Sequence, residues 1–354
     1  MVTPSAGRPT QPTHQGPLRV VVAGVPRSYQ QPQEDGRWLT PEHIATLQAV
    51  SPLVELFHTT RAELTRGEAP PPADVLLLEA SGAEPYRDEI PAEGVAALVT
   101  PRLRWVQSCS SGIGHILALN ILGPDVLLTN AAGVHADALA ESVMAGILLH
   151  AKRLPERLAL QRQRDWRELH CSELCDKTVL VVGTGHIGQA VARLAAAFRM
   201  HVIGVRRSDA ATPFVAEQLA PGQLKAGLAR ADYIVIACPL TPETIGLLGP
   251  AEFAATKRGA YLLNVSRGRV VQEAALLRAL HDGTLSGAYL DAHIQEPLPP
   301  EHPLWTIENA VVIPHDSHSS PYIGDNIVAL FADNLRRFIA GKPLRNLVDR
   351  NRGY

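Results

Sequence analysis

The strongest chemical signal in the sequence is a glycine-rich turn between a strand and a helix. Gly183, Gly185 and Gly188 form a Gly-x-Gly-x-x-Gly pattern that directly follows the β-branched run TVLVV and precedes an alanine-rich helical stretch. In this setting the first glycine permits a tight turn, the second lets the backbone approach a pyrophosphate, and the third allows close helix–strand packing. The unpaired N–H groups at the helix start bind phosphate oxygens. The pattern therefore predicts a dinucleotide site.

The residues after the next strand distinguish the two nicotinamide dinucleotides. The strand HVIGV (201–205) is followed by Arg206, Arg207 and Ser208, and none of these three residues carries a carboxylate. NAD sites commonly have an acidic residue here, which accepts hydrogen bonds from the adenosine ribose, whereas guanidinium and hydroxyl groups suit a 2′-phosphate. The sequence predicts NADP(H) as the cofactor, with NAD the alternative if these arginines face solvent.

Three further polar residues, Arg267, Glu296 and His315, each follow a predicted strand in the same half of the chain. Parallel sheets bind ligands at the carboxyl ends of their strands. Reduction of a ketone requires a proton donor, and histidine suits that task near neutral pH. A carboxylate would orient the imidazole, and an arginine would bind a substrate carboxylate through two hydrogen bonds. Spacing alone does not separate these residues from ordinary loop charges.

The elements that must position these groups alternate between short β-branched runs and longer helical patterns, which is typical of α/β proteins with parallel sheets. A first series of strands is followed by a long helical pattern from Asp137 to about Leu169 with a break at Leu154-Pro155, and a second series begins at TVLVVG. An amphipathic helix over 324–343 ends at Gly341 and Pro343. The strands of the first series are RVVVAG (19–24), LVELFH (53–58), DVLLLEA (74–80) and RWVQSCS (104–110).

Length and composition limit the class of protein. A chain of 354 residues, 46% hydrophobic and 19% charged, suggests about two globular domains. A net charge of −2 argues against bulk electrostatic binding of nucleic acid or anionic membranes, and no apolar run is long enough for a membrane span. Four cysteines favour a reducing cytoplasm, and the single pair Cys171-x-x-x-Cys175 does not predict a metal site. Residues 1–17 are expected to form a flexible extension.

The order of the motifs resembles that of the D-isomer-specific 2-hydroxyacid dehydrogenases, from about residue 18 to the end of the chain. The motif sequences are most similar to those of the NADP-using members that resemble glyoxylate/hydroxypyruvate reductases. The resemblance implies two doubly wound α/β domains with parallel sheets. A Rossmann cofactor domain over 129–317 would be inserted into a flavodoxin-like substrate domain made of 18–128 and 318–354. The motifs that carry it are LRWVQSCSSGIGH (103–115), NAAGVHADALAES (130–142), ADYIVIACPLTPET (231–244), NVSRGRVV (264–271), YLDAHIQEPLP (289–299) and VVIPHDSHS (311–319).

Matched position by position, the resemblance implies a role for each site residue. Arg267 would bind and polarise the substrate, Glu296 would pair with the histidine, and His315 would be the acid/base. Backbone amides of Ser111 and Gly112 would hold the substrate carboxylate, and Asp291 would contact the nicotinamide carboxamide. Arg206 lies where NAD-preferring members often have aspartate. The cofactor-lining positions are Gly183, Gly185, His186, Ile187, Gly188, Arg206, Arg207, Ser208, Cys238, Pro239, Thr244, Val265, Ser266 and Asp291.

The sequence departs from the family pattern in three places. Ser142 replaces a frequent histidine, Asp291-Ala292-His293 replaces an Asp-Val-aromatic sequence, and Asp316-Ser317-His318 replaces small or apolar residues after the acid/base histidine. The additional carboxylate is that of Asp316 and the additional imidazole is that of His318. These two side chains would alter substrate preference or the protonation of His315, or else they would face water as loop residues.

The activity implied is reversible reduction of a 2-oxo acid to a D-2-hydroxy acid, with NADPH as the favoured donor, in a homodimer. Two alternatives share the fold. One is oxidation of another small anion, as in formate or phosphite dehydrogenases. The other is a non-catalytic dinucleotide sensor, similar to the C-terminal-binding co-repressors, which retain the same arginine, glutamate and histidine. The sequence does not specify the 2-oxo acid.

Overall fold

The computed structural model describes residues 16–25, 37–80 and 90–350. The predicted N-terminal extension over 1–17 lies outside the described residues except for its last two. The chain divides into two compact units, one of Met1–Val134 with Ser320–Tyr354 and the other of His135–Ser319. The second unit is thus continuous in sequence, and the first is made from both ends of the chain.

The first unit is built on a parallel sheet of five strands in the order β2-β1-β3-β4-β5. This order is that of flavodoxin-like doubly wound folds. Its strands are β1 (Leu18–Ala23), β2 (Val54–Thr59), β3 (Val75–Leu78), β4 (Trp105–Ser108) and β5 (Leu127–Thr129). Its helices are α1 (Pro41–Gln48), α2 (Arg61–Thr65), α3 (Ala92–Leu98), α4 (Gly114–Ala118) and the C-terminal α11 (Ile323–Ile339).

Helix α11 belongs to this unit because its apolar face completes the core on one side of the sheet. The rings of Phe331 and Phe338 pack on Trp105, with centroids 5.2 and 5.5 Å apart. The buried amide of Asn334 donates to Gln107 Oε1 and accepts from the backbone N–H of Arg345. These contacts join the C-terminal segment to β4 of the first sheet.

The second unit contains a parallel sheet of seven strands in the order β12-β11-β10-β9-β6-β7-β8, the Rossmann arrangement with one added strand. The strands are β6 (Thr178–Val182), β7 (His201–Val205), β8 (Glu217–Leu219), β9 (Tyr233–Ile236), β10 (Ala260–Asn264), β11 (Leu285–Leu290) and β12 (Ala310–Val312). The helices are α5 (Ala136–Ala151), α6 (Leu154–Gln163), α7 (His186–Ala197), α8 (Leu224–Leu228), α9 (Pro250–Ala254) and α10 (Glu273–His281), with 3₁₀ turns at Pro221–Gln223, Gly268–Val270 and Pro303–Thr306.

Helices cover both faces of this sheet, which explains why its central strands are continuously apolar. Along β6, Val179 and Val181 pack into the cluster that contains α5 and α7, whereas Leu180 and Val182 pack into the cluster that contains α8, α9 and α10. Successive strand residues point to opposite faces, so both sets must be apolar. The loops after the strands then lie together at the carboxyl edge of the sheet.

The predicted α/β class, with two parallel doubly wound sheets, is confirmed. Strands β5 and β8 were not among the predicted strands, because each is three residues long and lacks a β-branched run. The break at Leu154-Pro155 separates α5 from α6, where Arg153 adopts a positive φ of 52°. Among the described residues, none of the helices combines the length and apolarity needed to cross a bilayer.

Candidate active site

The glycine-rich turn joins β6 to α7 in the conformation that the fingerprint requires. Gly183 has a φ of +95°, and a Cβ atom there would lie 2.6 Å from the backbone of Cys238. A Cβ atom on Gly188 would lie 2.0 Å from the Gly183 carbonyl oxygen. Side chains at either position would therefore push the turn away from the neighbouring strand or the helix away from the turn.

The start of α7 fits a dinucleotide pyrophosphate. Gly185 is the N-cap residue, and within the described part of the chain no side chain caps it. A Cβ atom on Gly185 would meet no described atom within 4 Å, so there is open space beside the first N–H groups of the helix. His186 is exposed at the first helical position, and Ile187 packs partly against the core. Unpaired N–H groups next to an open space are suited to bind an anion.

The side chain of Arg206 is held beside the glycine-rich turn. Its Nη1 donates to Thr212 Oγ1 at 3.0 Å, and the Thr212 hydroxyl lies 3.2 Å from that of Thr184, inside the turn. Gln218 accepts a hydrogen bond from Thr212 and donates to the Ser208 carbonyl oxygen, which fixes the loop after β7. The adjacent Arg207 is exposed. These contacts place one guanidinium next to the turn that would hold the pyrophosphate.

The residues expected to line the other side of the cofactor follow β9 and β10. Ser266 Oγ donates to the Cys238 carbonyl oxygen, and Thr244 Oγ1 donates to that of Pro239 at 2.7 Å. Val265 directly follows β10, is buried, and donates its backbone N–H to the Ile236 carbonyl oxygen at the end of β9. Burial raises the pKa of the Cys238 thiol from 9.0 to about 11, so the thiol is neutral near pH 7. Cys238 therefore contributes packing here and lacks the thiolate of a nucleophile.

Arg267 lies in a tight turn directly after β10, and the buried side chain of Asn264 holds that turn. The Asn264 amide donates to the Arg267 carbonyl oxygen at 3.1 Å and accepts from the Ser266 N–H at 3.1 Å. The Arg267 guanidinium is exposed and donates to the Ser266 carbonyl oxygen. The charged group is thus presented at the sheet edge by a rigid backbone.

Glu296 and His315 form a hydrogen-bonded pair between the loops that follow β11 and β12. His315 Nδ1 lies 2.7 Å from Glu296 Oε2. Burial raises the pKa of Glu296, but the hydrogen bond and charge of His315 together with the His293 N–H outweigh it and lower the pKa from 4.5 to about 2. Glu296 is therefore ionised at neutral pH, and it orients the imidazole so that Nε2 is the nitrogen available to a ligand.

His293, which departs from the family pattern, joins the two loops that carry this pair. Its backbone N–H donates to Glu296 Oε1 at 2.9 Å, and its Nε2 lies 2.9 Å from the Ile313 carbonyl oxygen. Since that carbonyl lies two residues before His315, one side chain connects the β11 loop to the end of β12. An apolar aromatic residue at this position would lack both ring nitrogens.

Asp291 is almost fully buried at the end of β11, and its Oδ1 accepts a hydrogen bond from the Ser317 N–H at 3.0 Å. Burial raises the pKa of this carboxyl group above 3.8, although Ser317 and His315 act in the opposite direction. The ring of His318 lies between those of His315 and His135, with centroids 6.1 and 5.3 Å apart. Asp316 is exposed.

In the first unit, Ser111 and Gly112 lie in the loop after β4, and neighbouring polar groups fix that loop. The Ser111 carbonyl oxygen accepts from the Asn130 amide at 3.0 Å, and its hydroxyl donates to the Ala131 carbonyl oxygen at 3.1 Å. Ser110 donates to the buried carboxylate of Glu79 at 2.8 Å. The sequence motif indicated the loop but not these two supporting residues.

Several supporting residues were thus missed by the sequence analysis. Asn264 and His293 lie within quoted motifs, and the unusual Asp-Ala-His sequence was a signal that pointed to His293. Asn130 begins a quoted motif, but nothing in the sequence indicated which backbone group its amide contacts. Glu79 follows a strand without any motif around it.

Comparisons with known proteins agree with this geometry. Residues 144–317 match the family described as D-isomer specific 2-hydroxyacid dehydrogenase, NAD binding domain. A glyoxylate reductase from Korarchaeum cryptofilum is 31% identical over 300 residues, which cover 81% of this chain and 89% of that protein. A glyoxylate reductase/hydroxypyruvate reductase from Mus musculus is 33% identical over 256 residues, covering 68% and 76%.

Among solved structures, the NADPH-dependent glyoxylate/hydroxypyruvate reductase from Sinorhizobium meliloti, in complex with NADP and sulfate, superposes with a TM-score of 0.76 at 29% identity, covering 96% of this chain and all of that one. A D-isomer specific 2-hydroxyacid dehydrogenase from Xanthobacter autotrophicus, in complex with NADPH and MES, gives a TM-score of 0.77 at 29% identity, with the same coverage. The resemblance predicted from the motifs is confirmed, and the chain belongs to the D-isomer specific 2-hydroxyacid dehydrogenase family.

Proposed function

We propose that this protein is a cytoplasmic, NADP(H)-dependent oxidoreductase that interconverts a small 2-oxo acid and the corresponding D-2-hydroxy acid. The observation that carries the proposal is the hydrogen-bonded Glu296–His315 pair, which lies at the same sheet edge as the glycine-rich turn. The reductases and NADP complexes among its relatives support the same reaction class. Four free cysteine thiols support a reducing compartment.

The unit His135–Ser319 is the dinucleotide-binding domain in this proposal, close to the predicted 129–317, and the other unit binds the substrate. The N–H groups at the start of α7 hold the pyrophosphate, and Arg206 with Arg207 and Ser208 receives the 2′-phosphate. Asp291 binds the nicotinamide carboxamide. When bound, NADPH supplies the hydride. The remaining residues in this set line the cofactor: His186, Ile187, Cys238, Pro239, Thr244, Val265 and Ser266.

His315 supplies the proton that a 2-oxo acid requires when a hydride reaches its carbonyl carbon. The imidazolium donates from Nε2 to the carbonyl oxygen, and the ionised Glu296 stabilises the cation until that transfer. Arg267 binds the substrate carboxylate and stabilises negative charge on the reacting oxygen, and the amides of Ser111 and Gly112 also bind the carboxylate. Oxidation of the hydroxy acid reverses each step, with neutral His315 as the base.

The proposed reaction is tested by assaying a panel of 2-oxo acids, beginning with glyoxylate and hydroxypyruvate, with NADPH. His315→Ala and Arg267→Ala are expected to lower kcat/KM by about 10²–10⁴-fold, the range typical of general acid catalysis and oxyanion stabilisation. His281→Ala and Arg278→Ala, at exposed positions of α10, are the matched controls. Binding of NADPH without oxidation by any 2-oxo acid would favour a dinucleotide sensor instead.

Glu296→Gln tests the charge coupling within the pair. Because the carboxylate stabilises the imidazolium, replacing it with a neutral amide should move the alkaline limb of the reduction profile to lower pH. The acidic limb of the oxidation profile, which requires neutral imidazole, should move in the same direction. Profiles of kcat/KM against pH measure both limbs, with Glu301→Gln as an exposed control in the following segment. Unchanged profiles would show that the pair is not coupled during catalysis.

Arg206→Asp tests the cofactor assignment. A carboxylate there repels a 2′-phosphate, so the ratio of kcat/KM for NADPH over NADH should fall about ten- to a hundredfold, equivalent to roughly 1.4–2.8 kcal/mol. The KM for the 2-oxo acid should change much less. Arg199→Asp makes the same charge change before β7, at the opposite end of that strand, and serves as control. A wild-type protein that uses NADH as efficiently as NADPH would overturn the assignment.

We also propose a homodimer formed through α6 and the segment after it. Every residue of α6 is exposed or half-buried, and Leu158 and Trp166 are 51% and 100% exposed. Leu154, which is 42% exposed, lies one turn before Leu158 on the same face of α6, and contiguous exposed apolar patches are typical of interaction sites. Trp166→Glu with Leu158→Glu should shift the sedimentation coefficient from dimer to monomer, whereas Phe214→Glu, at an exposed phenylalanine outside this surface, should not. A monomeric wild-type protein would contradict the proposal.

A further inference from the structure

The acid/base candidate has an unusual backbone conformation. His315 has a φ of +54°, in the left-handed region that residues with a Cβ atom seldom adopt. Such a conformation costs free energy and persists only where surrounding contacts enforce it. The Glu296 hydrogen bond holds the imidazole ring, but the backbone that follows the ring must be held by other groups.

Those groups form a chain of hydrogen bonds from the sheet through α5 to the loop after His315. The Ser142 hydroxyl lies 2.7 Å from the Tyr289 hydroxyl and donates to Ser317 Oγ at 2.9 Å. Since Ser142 has one hydroxyl proton and gives it to Ser317, the Tyr289 hydroxyl must donate to Ser142. The N–H of Ser317 then donates to the buried Asp291 carboxylate.

A close approach of α5 to the sheet makes this chain possible. Gly146 lies one turn after Ser142, and a Cβ atom there would lie 2.9 Å from two ring carbons of Tyr289. Glycine weakens a helix interior relative to alanine, so its presence here is costly to α5 itself. The missing side chain lets the Tyr289 ring lie against the helix, with its hydroxyl next to Ser142.

The chain is largely shielded from water. Tyr289, Ser317 and Asp291 are 7%, 9% and 1% exposed, and Ser142 is half-buried. Water cannot readily replace a partner at such positions, so removal of one hydroxyl leaves the group bonded to it without that partner. The four groups therefore act on the loop as a unit.

We propose that Ser142 and Ser317 are positioning residues that hold the loop after β12 so that His315 keeps the geometry of its pair with Glu296. The proposal rests on the proposed role of His315 as acid/base. Ser142 and Ser317 both lie at positions where this sequence departs from the family pattern. Tyr289 and Gly146 support it from the strand and the helix.

The pH profile of the reduction reaction reports on His315, and it depends on the charged groups around this residue. Among the described residues, the titratable side chains whose charges or rings meet this loop include Glu296, Asp291, Asp316, His293, His318 and, from the start of α5, His135. If the loop is loosened, the hydrogen bond between His315 and Glu296 is the first contact to weaken, because it depends on the position of the His315 backbone. The alkaline limb of the reduction profile should then move to lower pH, as in Glu296→Gln but by less.

The experiment compares Ser142→Ala and Tyr289→Phe with two matched controls. Ser286→Ala removes a serine hydroxyl from β11 that contacts His150 at 3.0 Å, and Tyr261→Phe removes a buried hydroxyl that has no hydrogen-bond partner among the described residues. Ser142→Ala and Tyr289→Phe should lower kcat about five- to tenfold, with less than a twofold change in the KM of the 2-oxo acid. Both should also shift the alkaline limb, and neither control should.

A double variant and a conservative substitution that keeps the hydroxyl distinguish a positioning role from general destabilisation of the fold. Ser142→Ala combined with Ser317→Ala should be no more impaired than the worse single variant, because both act through one chain. Ser142→Thr keeps the hydroxyl and should restore the wild-type pH profile. Thermal melting of every variant reports folding. Lower melting temperatures with unchanged pH profiles would overturn the proposal and indicate a purely structural role.

His315→Ala distinguishes failure of this proposal from failure of the proposed function. If His315→Ala abolishes turnover while Ser142→Ala and Tyr289→Phe retain the wild-type kcat and profile, the positioning role alone is wrong. If His315→Ala retains wild-type turnover, the acid/base assignment falls and the positioning role falls with it.

Discussion

All strands of the second sheet run in one direction, and this constraint determines where its chemistry lies. Parallel pairing brings the carboxyl ends of β6, β7, β9, β10, β11 and β12 to one edge. The glycine-rich turn, the Arg206 loop, the Arg267 turn and the Glu296–His315 pair follow those ends. Groups separated by more than a hundred residues in sequence are thus brought to one edge of the sheet, because the backbone hydrogen bonds between the strands set the spacing of the strand ends.

The sequence predicted the features that depend on local pattern. Continuous apolar runs identified the central strands, since helices cover both sheet faces, and the spacing of Gly183, Gly185 and Gly188 identified the turn. The amphipathic pattern of α11 gave its bounds to within a few residues. Strands β5 and β8 were missed because parallel pairing with a neighbour, rather than their own residues, makes them strands. Tertiary context decides such short segments.

The supporting contacts of the site could not be predicted for the same reason. Ser142 meets Ser317 across 175 positions and Tyr289 across 147. Nothing in the sequence around these residues specifies those distances. Ser142 departs from the family pattern, and the packing of α5 against β11 at Gly146 explains what its hydroxyl contacts. The contact made by His293 could not be predicted either, because the distance from its ring to the Ile313 carbonyl oxygen depends on the register of β11 and β12.

Two carboxyl groups at this edge have pKa values that are shifted in opposite directions, and the difference follows from their partners. Burial is the largest single influence on both pKa values, and it raises both. At Glu296 the imidazole and a backbone N–H outweigh burial, and the pKa falls to about 2. At Asp291 burial outweighs the contacts with Ser317 and His315, and the pKa rises above 3.8.

As the pH falls, Asp291 therefore takes up a proton before Glu296 does. The depressed pKa of Glu296 contributes stability above pH 4.5, and this stability is lost as the pH falls toward 2. The raised pKa of Asp291 has the opposite sign, since its ionised form is less favourable in the folded chain than in the unfolded chain. The hydrogen bonds from Ser317 reduce that cost, so the serine that holds the histidine loop also makes a buried carboxylate tolerable at the sheet edge.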